Sequence, residues 1–522
     1  MTNRKLKKIL KQNAIDSEKQ APKHQFHINI TRRALIRLAQ TAACLLLVAA
    51  MGVGYVAMVR MVGPQGSSDG TTPSTPSLQP TDTLDPGMDT VLDVVETCPP
   101  YSPDDTTYQM VEKHETFTGK KLVLAETFKV GVSGDWWEFS SPDMTADTVD
   151  MINLNRIMSV ERALQCNIMQ SASAYDHFIN WVKVSSLTGN DAAIVAGSAE
   201  TIGALARQGL LEDMLSATAA EYLEFSAPYW NPDMAQDLKI GNKLYFVSGT
   251  ISINTMGAVN CVFTDPNINS KLGIDIYSIV EEGKWTFDKM YALAAGSGSL
   301  NGLALNEPAI PALALSAGIR LADNTPAPHR SLSNGTALDF TEKLAELVKT
   351  GTVTLTSVAS SEHIDELFVV DTIVGVTSLG AGIRAMLPMP AVEEGAPYLS
   401  PVGSHAVYYG IVRGSDVALA SATMAKLAQY SLEVSSSEAS NSKMQTYMDV
   451  ICNRYPISAK SAQNVEIAMS NMTFSLDAFL PSSVTLTTLK NAISAASSNA
   501  RREILTQNHL AQVIEEQLGK IK

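Results

Sequence analysis

Three short apolar runs alternating with stretches of helical period constrain this chain more than any other feature. Lys121-Leu122-Val123-Leu124-Ala125 reads as a buried strand, and Asn167-Ile168-Met169 and Ala192-Ala193-Ile194-Val195 read as two more. Between the first two, Val149, Ile152, Ile157, Val160 and Leu164 recur at helical spacing. After the third, Ser198 is placed to N-cap a helix, Glu200 suits its first turn and Gly209 suits a left-handed C-cap. This alternation predicts α/β architecture with a largely parallel sheet. In such sheets small molecules sit at the C-terminal ends of strands, where helix N-termini leave N–H groups unpaired.

A second α/β region follows. Residues 243–247 and 258–263 read as strands. Further on, Thr286 can cap a helix, with Trp285 and Met290 at the two positions of a hydrophobic staple. Residues 368–370, 372–376 and 406–411 are apolar enough for strands, and the chain from Asp416 reads as mainly helical. At 522 residues the chain exceeds one ordinary domain, and no internal repeat of fixed period is visible.

The segment ahead of this region has a different character. Residues 1–37 carry ten basic side chains against Asp16 and Glu18, although the whole chain has a net charge of −14. An apolar run at 38–59 comes next, bracketed by Arg37 and Arg60. As a helix it would span roughly 33 Å, enough to cross a hydrocarbon core. The basic flank predicts an N-terminus in the cytoplasm and the rest outside, with 38–60 an uncleaved single-pass signal anchor. Thr41-Ala42-Ala43-Cys44 is a weaker match to a lipoprotein processing box, placed too early in the run. Residues 61–118, rich in Ser, Thr and Pro, read as a disordered stalk. The strongly acidic remainder repels phosphate backbones, which excludes nucleic acid as a partner. Cys98, Cys166, Cys261 and Cys452 are widely scattered, leaving open either one disulfide or buried thiols.

Three local patterns carry a family resemblance. Asn190-Asp191-Ala192-Ala193-Ile194-Val195 leads to Leu205-Ala206-Arg207-Gln208-Gly209-Leu210-Leu211. Ile240-Gly241-Asn242-Lys243-Leu244-Tyr245-Phe246-Val247 and Gly283-Lys284-Trp285-Thr286-Phe287-Asp288-Lys289 follow in order, with Leu387-Pro388-Met389-Pro390 as weaker support. Together they resemble the extracellular solute-binding proteins of family 1, the sugar-type ABC importer receptors. The resemblance spans residues 120–522 and implies a two-lobed periplasmic-binding-protein-like II fold with a hinge. It implies lobe 1 at 119–252 and 403–455, lobe 2 at 253–402 and 456–522, and crossings near 249–254 and 400–405. The chain departs from the family's sugar binders where they place aromatic residues, in the loop read at 196–199 after the third strand and at 377–382.

The resemblance further implies a small-molecule ligand, a sugar, and ABC permease subunits or a sensor partner to read the closed form. A sugar pocket needs aromatic faces and planar polar groups. Asp135, Trp136 and Trp137 follow the first strand closely and are candidate contacts, as are Ser198, Tyr229 and Trp230. Tyr408 and Tyr409 lie on the return crossing, where alternation sends one toward the cleft and one into packing. Arg384 is set between an anionic ligand and a surface ion pair. No HExxH, G-x-S-x-G or Walker pattern is present and the eight histidines are isolated, so the sequence points to no catalytic group, metal or cofactor. A ligand sensor, or a binding scaffold uncoupled from transport, is the competing reading, suggested by the basic arm and anchor.

Overall fold

Apolar runs become strands and helical-period stretches become helices in the computed structural model. It describes residues 117–127, 138–139, 148–189, 192–231, 233–298, 301–323, 329–330, 335–356, 366–379, 384–403, 405–432, 457–494 and 508–521. The apolar run at 38–60 and nearly all of the stalk lie outside these. Among the described residues no helix is long and apolar enough to cross a membrane.

The strands are β1 (Lys121–Thr127), β2 (Asn167–Ser173), β3 (Ile194–Ser198), β4 (Asn260–Thr264), β5 (Asn301–Asn306), β6 (Ala322–Asp323) and β7 (His329–Arg330). They continue with β8 (Val353–Thr356), β9 (Glu366–Thr372), β10 (Ala385–Leu387), β11 (Ser400–Pro401), β12 (Val407–Ile411) and β13 (Met472–Thr473). The first sheet has the order β12-β3-β1-β2, with β1 parallel to β2 and β3 and β12 antiparallel to β3. The second has the order β10-β4-β9-β5-β8, with β5 parallel to β8 and β9 and the β4 and β10 pairings antiparallel. Strand β12 belongs to the first sheet but follows every strand of the second. The chain therefore leaves the first half, builds the second and returns.

The helix signals behave as the sequence predicts. Ser198 caps the helix Ala199–Arg207, its Oγ accepting the Thr201 N–H at 3.3 Å, and Gly209 takes φ +68° beyond its end. Thr286 caps Phe287–Ala295, and Trp285 and Met290 are fully buried beside it. The Trp285 indole N–H donates to the Pro388 carbonyl at 2.9 Å.

Three expectations fail, each for a local reason. Residues 243–247 form no strand: only single bridges, Ile240 to Lys243 and Val247 to Tyr409, punctuate this stretch. Its apolar side chains pack while its backbone partners come one at a time. Strand β3 runs to Ser198 where a loop at 196–199 was expected, because β12 pairs it as far as Val407 opposite Ser198. The run 372–376 breaks at Thr372 into the 3₁₀ turn Val374–Ser378. The Asp371 carboxylate accepts the Thr372 N–H at 2.6 Å and Thr372 Oγ1 accepts the Gly375 N–H at 3.1 Å, which turns the chain. A Cβ on Gly375 would lie 2.2 Å from Asp371 Oδ1, so a larger residue there would have to displace the carboxylate that makes the turn.

Candidate functional site

The two segments that join the sheets run side by side. On the first-sheet side Val247 and Tyr409 exchange both backbone hydrogen bonds, at 3.0 and 2.8 Å. The Val407 carbonyl accepts from Ser248 Oγ at 2.6 Å and from Thr255 Oγ1 at 3.0 Å. On the second-sheet side Gly403 N–H donates to the Ala258 carbonyl at 2.7 Å, and the Asn260 side chain donates to the Pro401 carbonyl at 3.0 Å. At the bend Gly249 adopts φ +114°, and a Cβ there would meet Asn231 Oδ1 at 2.3 Å. Ser252 then caps the short helix Ile253–Gly257, its Oγ accepting from Thr255 N–H at 3.0 Å.

Against this junction lies a buried carboxylate that sequence reasoning missed. Glu138 is fully buried; its Oε2 accepts from Ser252 Oγ at 3.0 Å and from the Asn254 side chain at 2.7 Å. The Tyr409 hydroxyl donates to its other oxygen, and the Glu138 N–H donates to Glu126 Oε2 at 2.8 Å. Arg156, also fully buried, donates to the Ile251 carbonyl at 2.6 Å and to Ser431 Oγ at 2.9 Å, and its charge favours ionised Glu138. Burial outweighs these contacts and pushes the Glu138 carboxyl above its ordinary value. Burial and the adjacent carboxylate hold the Tyr409 phenol well above its own, so it stays a donor. This one carboxylate ties the segment after β1 to the first crossing and to the return strand. The sequence signal was faint: an acidic residue inside Trp136-Trp137-Glu138-Phe139.

The sequence-predicted residues fall in different places. Asp135, Trp136 and Trp137 lie outside the described residues; the chain resumes at Glu138, with Phe139 edge-on to Tyr409 at 5.7 Å. Ser198 stands at the C-terminal end of β3, half-buried, with its hydroxyl 3.1 Å from Thr201 Oγ1. Tyr229 and Trp230 are both buried, and Trp230 packs on Phe225 and Tyr229 at 5.4 and 5.8 Å between ring centres. Tyr408 and Tyr409 point to opposite faces of β12. Tyr409 meets Glu138, whereas Tyr408 packs between Phe246 and Phe479, at 6.3 and 4.9 Å. Arg384 is a correction: it is buried rather than on the surface, and its guanidinium donates to the Leu379 carbonyl at 2.8 Å. Among the described cysteines Cys166 and Cys261 are free thiols, and among the described residues no acidic, His or Cys group is arranged to hold a metal.

No family model matches the chain, and no curated protein sequence does. Solved structures do. The cyclic α-maltosyl-1,6-maltose binding protein of Arthrobacter globiformis superposes with a TM-score of 0.51 at 13% identity, covering 76% of this chain and 98% of its own. The chain has the fold of an extracellular solute-binding protein. A cycloalternan-bound ABC substrate-binding protein of Listeria monocytogenes aligns at a TM-score of 0.45 and 11% identity, covering 77% of this chain and 99% of its own. A family 1 solute-binding protein of Alicyclobacillus acidocaldarius aligns at 0.46 and 14%, covering 77% and 100%. The fold assignment rests on the first of the three. The paired segments above connect the two sheets. The C-terminal ends of β1, β3 and β9 supply Thr127, Ser198 and Thr372 as strand-end polar groups.

Proposed function

We propose that this chain is a membrane-anchored receptor that captures a small carbohydrate between its two lobes and hands it to an ABC importer. The observation that carries the reading is the pair of side-by-side crossings joining two mixed sheets. This architecture lets one lobe rotate on the other while each sheet stays intact. The Arthrobacter neighbour that shares the fold is a cyclic α-maltosyl-1,6-maltose binding protein, which favours a glucan-type ligand. Closure over such a ligand excludes water and strengthens each polar contact to its hydroxyls.

In this reading the run at 38–60 anchors the chain in the cell membrane, the 61–118 stalk sets its reach, and residues 119–522 face outward. Permease subunits are the partners, and the capture step needs no cofactor or catalytic group. The basic arm at 1–37 favours one alternative, a sensor that passes occupancy inward.

A thermal-shift screen of residues 119–522 against linear and cyclic maltooligosaccharides, other sugars, peptides and polyols tests the proposal. At ligand concentrations far above Kd a binder gains about 3 kcal/mol. A melting temperature indifferent to every class removes capture and leaves the uncoupled scaffold. Sugar binding without association with permease subunits in pull-down from membranes favours the sensor.

A further inference from the structure

A second set of polar contacts joins the two lobes away from the crossings. Arg320 follows the helix Ile310–Ser316 of the second lobe. Its Nη2 bonds Asp237 Oδ1 at 2.7 Å, and its Nη1 donates to the Phe474 carbonyl at 2.6 Å. Asp237 ends the helix Met234–Asp237, on the chain between Glu212, whose N–H bonds the Ile411 carbonyl of β12 at 2.8 Å, and Val247, which pairs with Tyr409 of β12. The other Asp237 oxygen accepts the Phe474 N–H at 3.2 Å. Asp477 grips the opposite side, accepting the N–H groups of Leu321 at 2.9 Å and Ala322 at 2.7 Å. The Phe474–Asp477 segment itself spans the lobes: β13 just before it pairs with β11, and Phe479 just after it stacks on Phe246 at 4.1 Å.

We propose that Asp237, Arg320 and Asp477 form an interlobe clasp that must release before the lobes can change their relation. The proposal rests on the lobe movement in the functional reading above. Asp237 belongs to one lobe and Arg320 to the other, neither lies in the paired crossings, and Asp477 sits in the separate segment that spans both lobes. A rotation about the crossings therefore alters the clasp distances while leaving both sheets intact. Charge-assisted hydrogen bonds of this length lose their geometry within a small displacement, which makes the clasp two-state rather than elastic.

Protons act on the clasp in a definite direction. Burial raises the Asp237 carboxyl to about 6 against the pull of Arg320 and the Phe474 N–H, with Asp233 adding to the rise. Asp477 is raised as well, against Leu321, Ala322, Ser475 and Arg320. Once released into water Asp237 regains the ordinary value of 3.8, so the clasped form binds the proton more tightly. The clasp tightens as pH falls through about 6 and loosens above it.

Amide hydrogen exchange on the full-length chain, followed by mass spectrometry without ligand, tests this. In Arg320→Met the Leu321–Ala322 amides and both crossings, near 247–252 and 402–407, exchange about tenfold faster, while β1 and β5 keep their protection. Arg320→Lys, which keeps the charge but loses the fork, gives the same pattern with a smaller change and covers the case in which the Met variant does not fold. In the wild type the crossings, corrected for intrinsic rate, exchange more slowly at about pH 5 than at about pH 7.5, and Asp237→Asn reduces that difference while Asp477 and Glu138 keep their share of it. Faster exchange confined to the Leu321–Ala322 amides overturns the proposal, as does wild-type exchange in the crossings that ignores pH. No sugar enters the experiment, so failed carbohydrate capture and a failed clasp give separate results.

Discussion

Glu138 has no solvent contact, and its carboxylate oxygens are answered by Ser252, Asn254 and Tyr409. Removing one partner from such a group costs more than the bond itself, because the rest stays buried without it. Glu138→Ala, which leaves the Ser252, Asn254 and Tyr409 donors buried without their acceptor, is expected to lower stability by about 3 kcal/mol in urea unfolding. Tyr409→Phe should cost about 1–2 kcal/mol, while Tyr408→Phe, with no hydrogen bond at stake among Phe246 and Phe479, should cost less. Proton linkage gives a second residue-scale expectation. The Asp237 carboxyl is raised from 3.8 to about 6, so its contribution to stability is complete below 3.8 and is lost as pH rises through 6. Asp237→Asn should flatten that part of the stability profile between about pH 4 and 6.5; an unchanged slope would place the titration elsewhere. The alternation of Tyr408 and Tyr409 was legible in the sequence because strand geometry fixes it locally. The role of Glu138 was not, since its partners lie more than a hundred residues away along the chain. Trp136 and Trp137 remain sequence candidates for the sugar face. Replacing both with Ala should abolish any sugar-induced thermal shift, and retained affinity would take them out of the site.

Local signals fixed the elements wherever the backbone finds its partners within one element. The caps Ser198 and Thr286 needed nothing beyond their own few residues, whereas Trp285 is held by Pro388 and Phe368, far along the chain. Ser198→Ala should therefore cost about 1 kcal/mol whether or not Ser198 also meets ligand, measured on the ligand-free chain. A cost several times larger would mean that the hydroxyl holds more than the Thr201 N–H. Strand reading failed where side chains set the backbone's path. At 243–247 the chain is already leaving the first sheet, and single bridges replace a ladder. At 372–376 the Asp371 carboxylate and Thr372 hydroxyl capture backbone N–H groups and stop β9. Strands β5 and β8 escaped notice because Asn301-Gly302-Leu303-Ala304-Leu305-Asn306 and Val353-Thr354-Leu355-Thr356 are short and punctuated by polar residues.

At the scale of the molecule, the return of β12 to the first sheet matters most. It forces two connections between the sheets, which run antiparallel beside each other, and in the proposed function these are the hinge about which the lobes rotate. That property depends on chain order, which the resemblance conveyed and local propensity could not. Beside these connections Glu138 holds Ser252 and Asn254, and away from them Arg320 bonds Asp237. Capture between moving lobes is tested most directly by small-angle X-ray scattering on residues 119–522. With a saturating maltooligosaccharide the radius of gyration should fall relative to the sugar-free protein as the lobes close. An unchanged scattering curve from protein with demonstrably bound sugar would contradict closure and leave a rigid binding scaffold in its place.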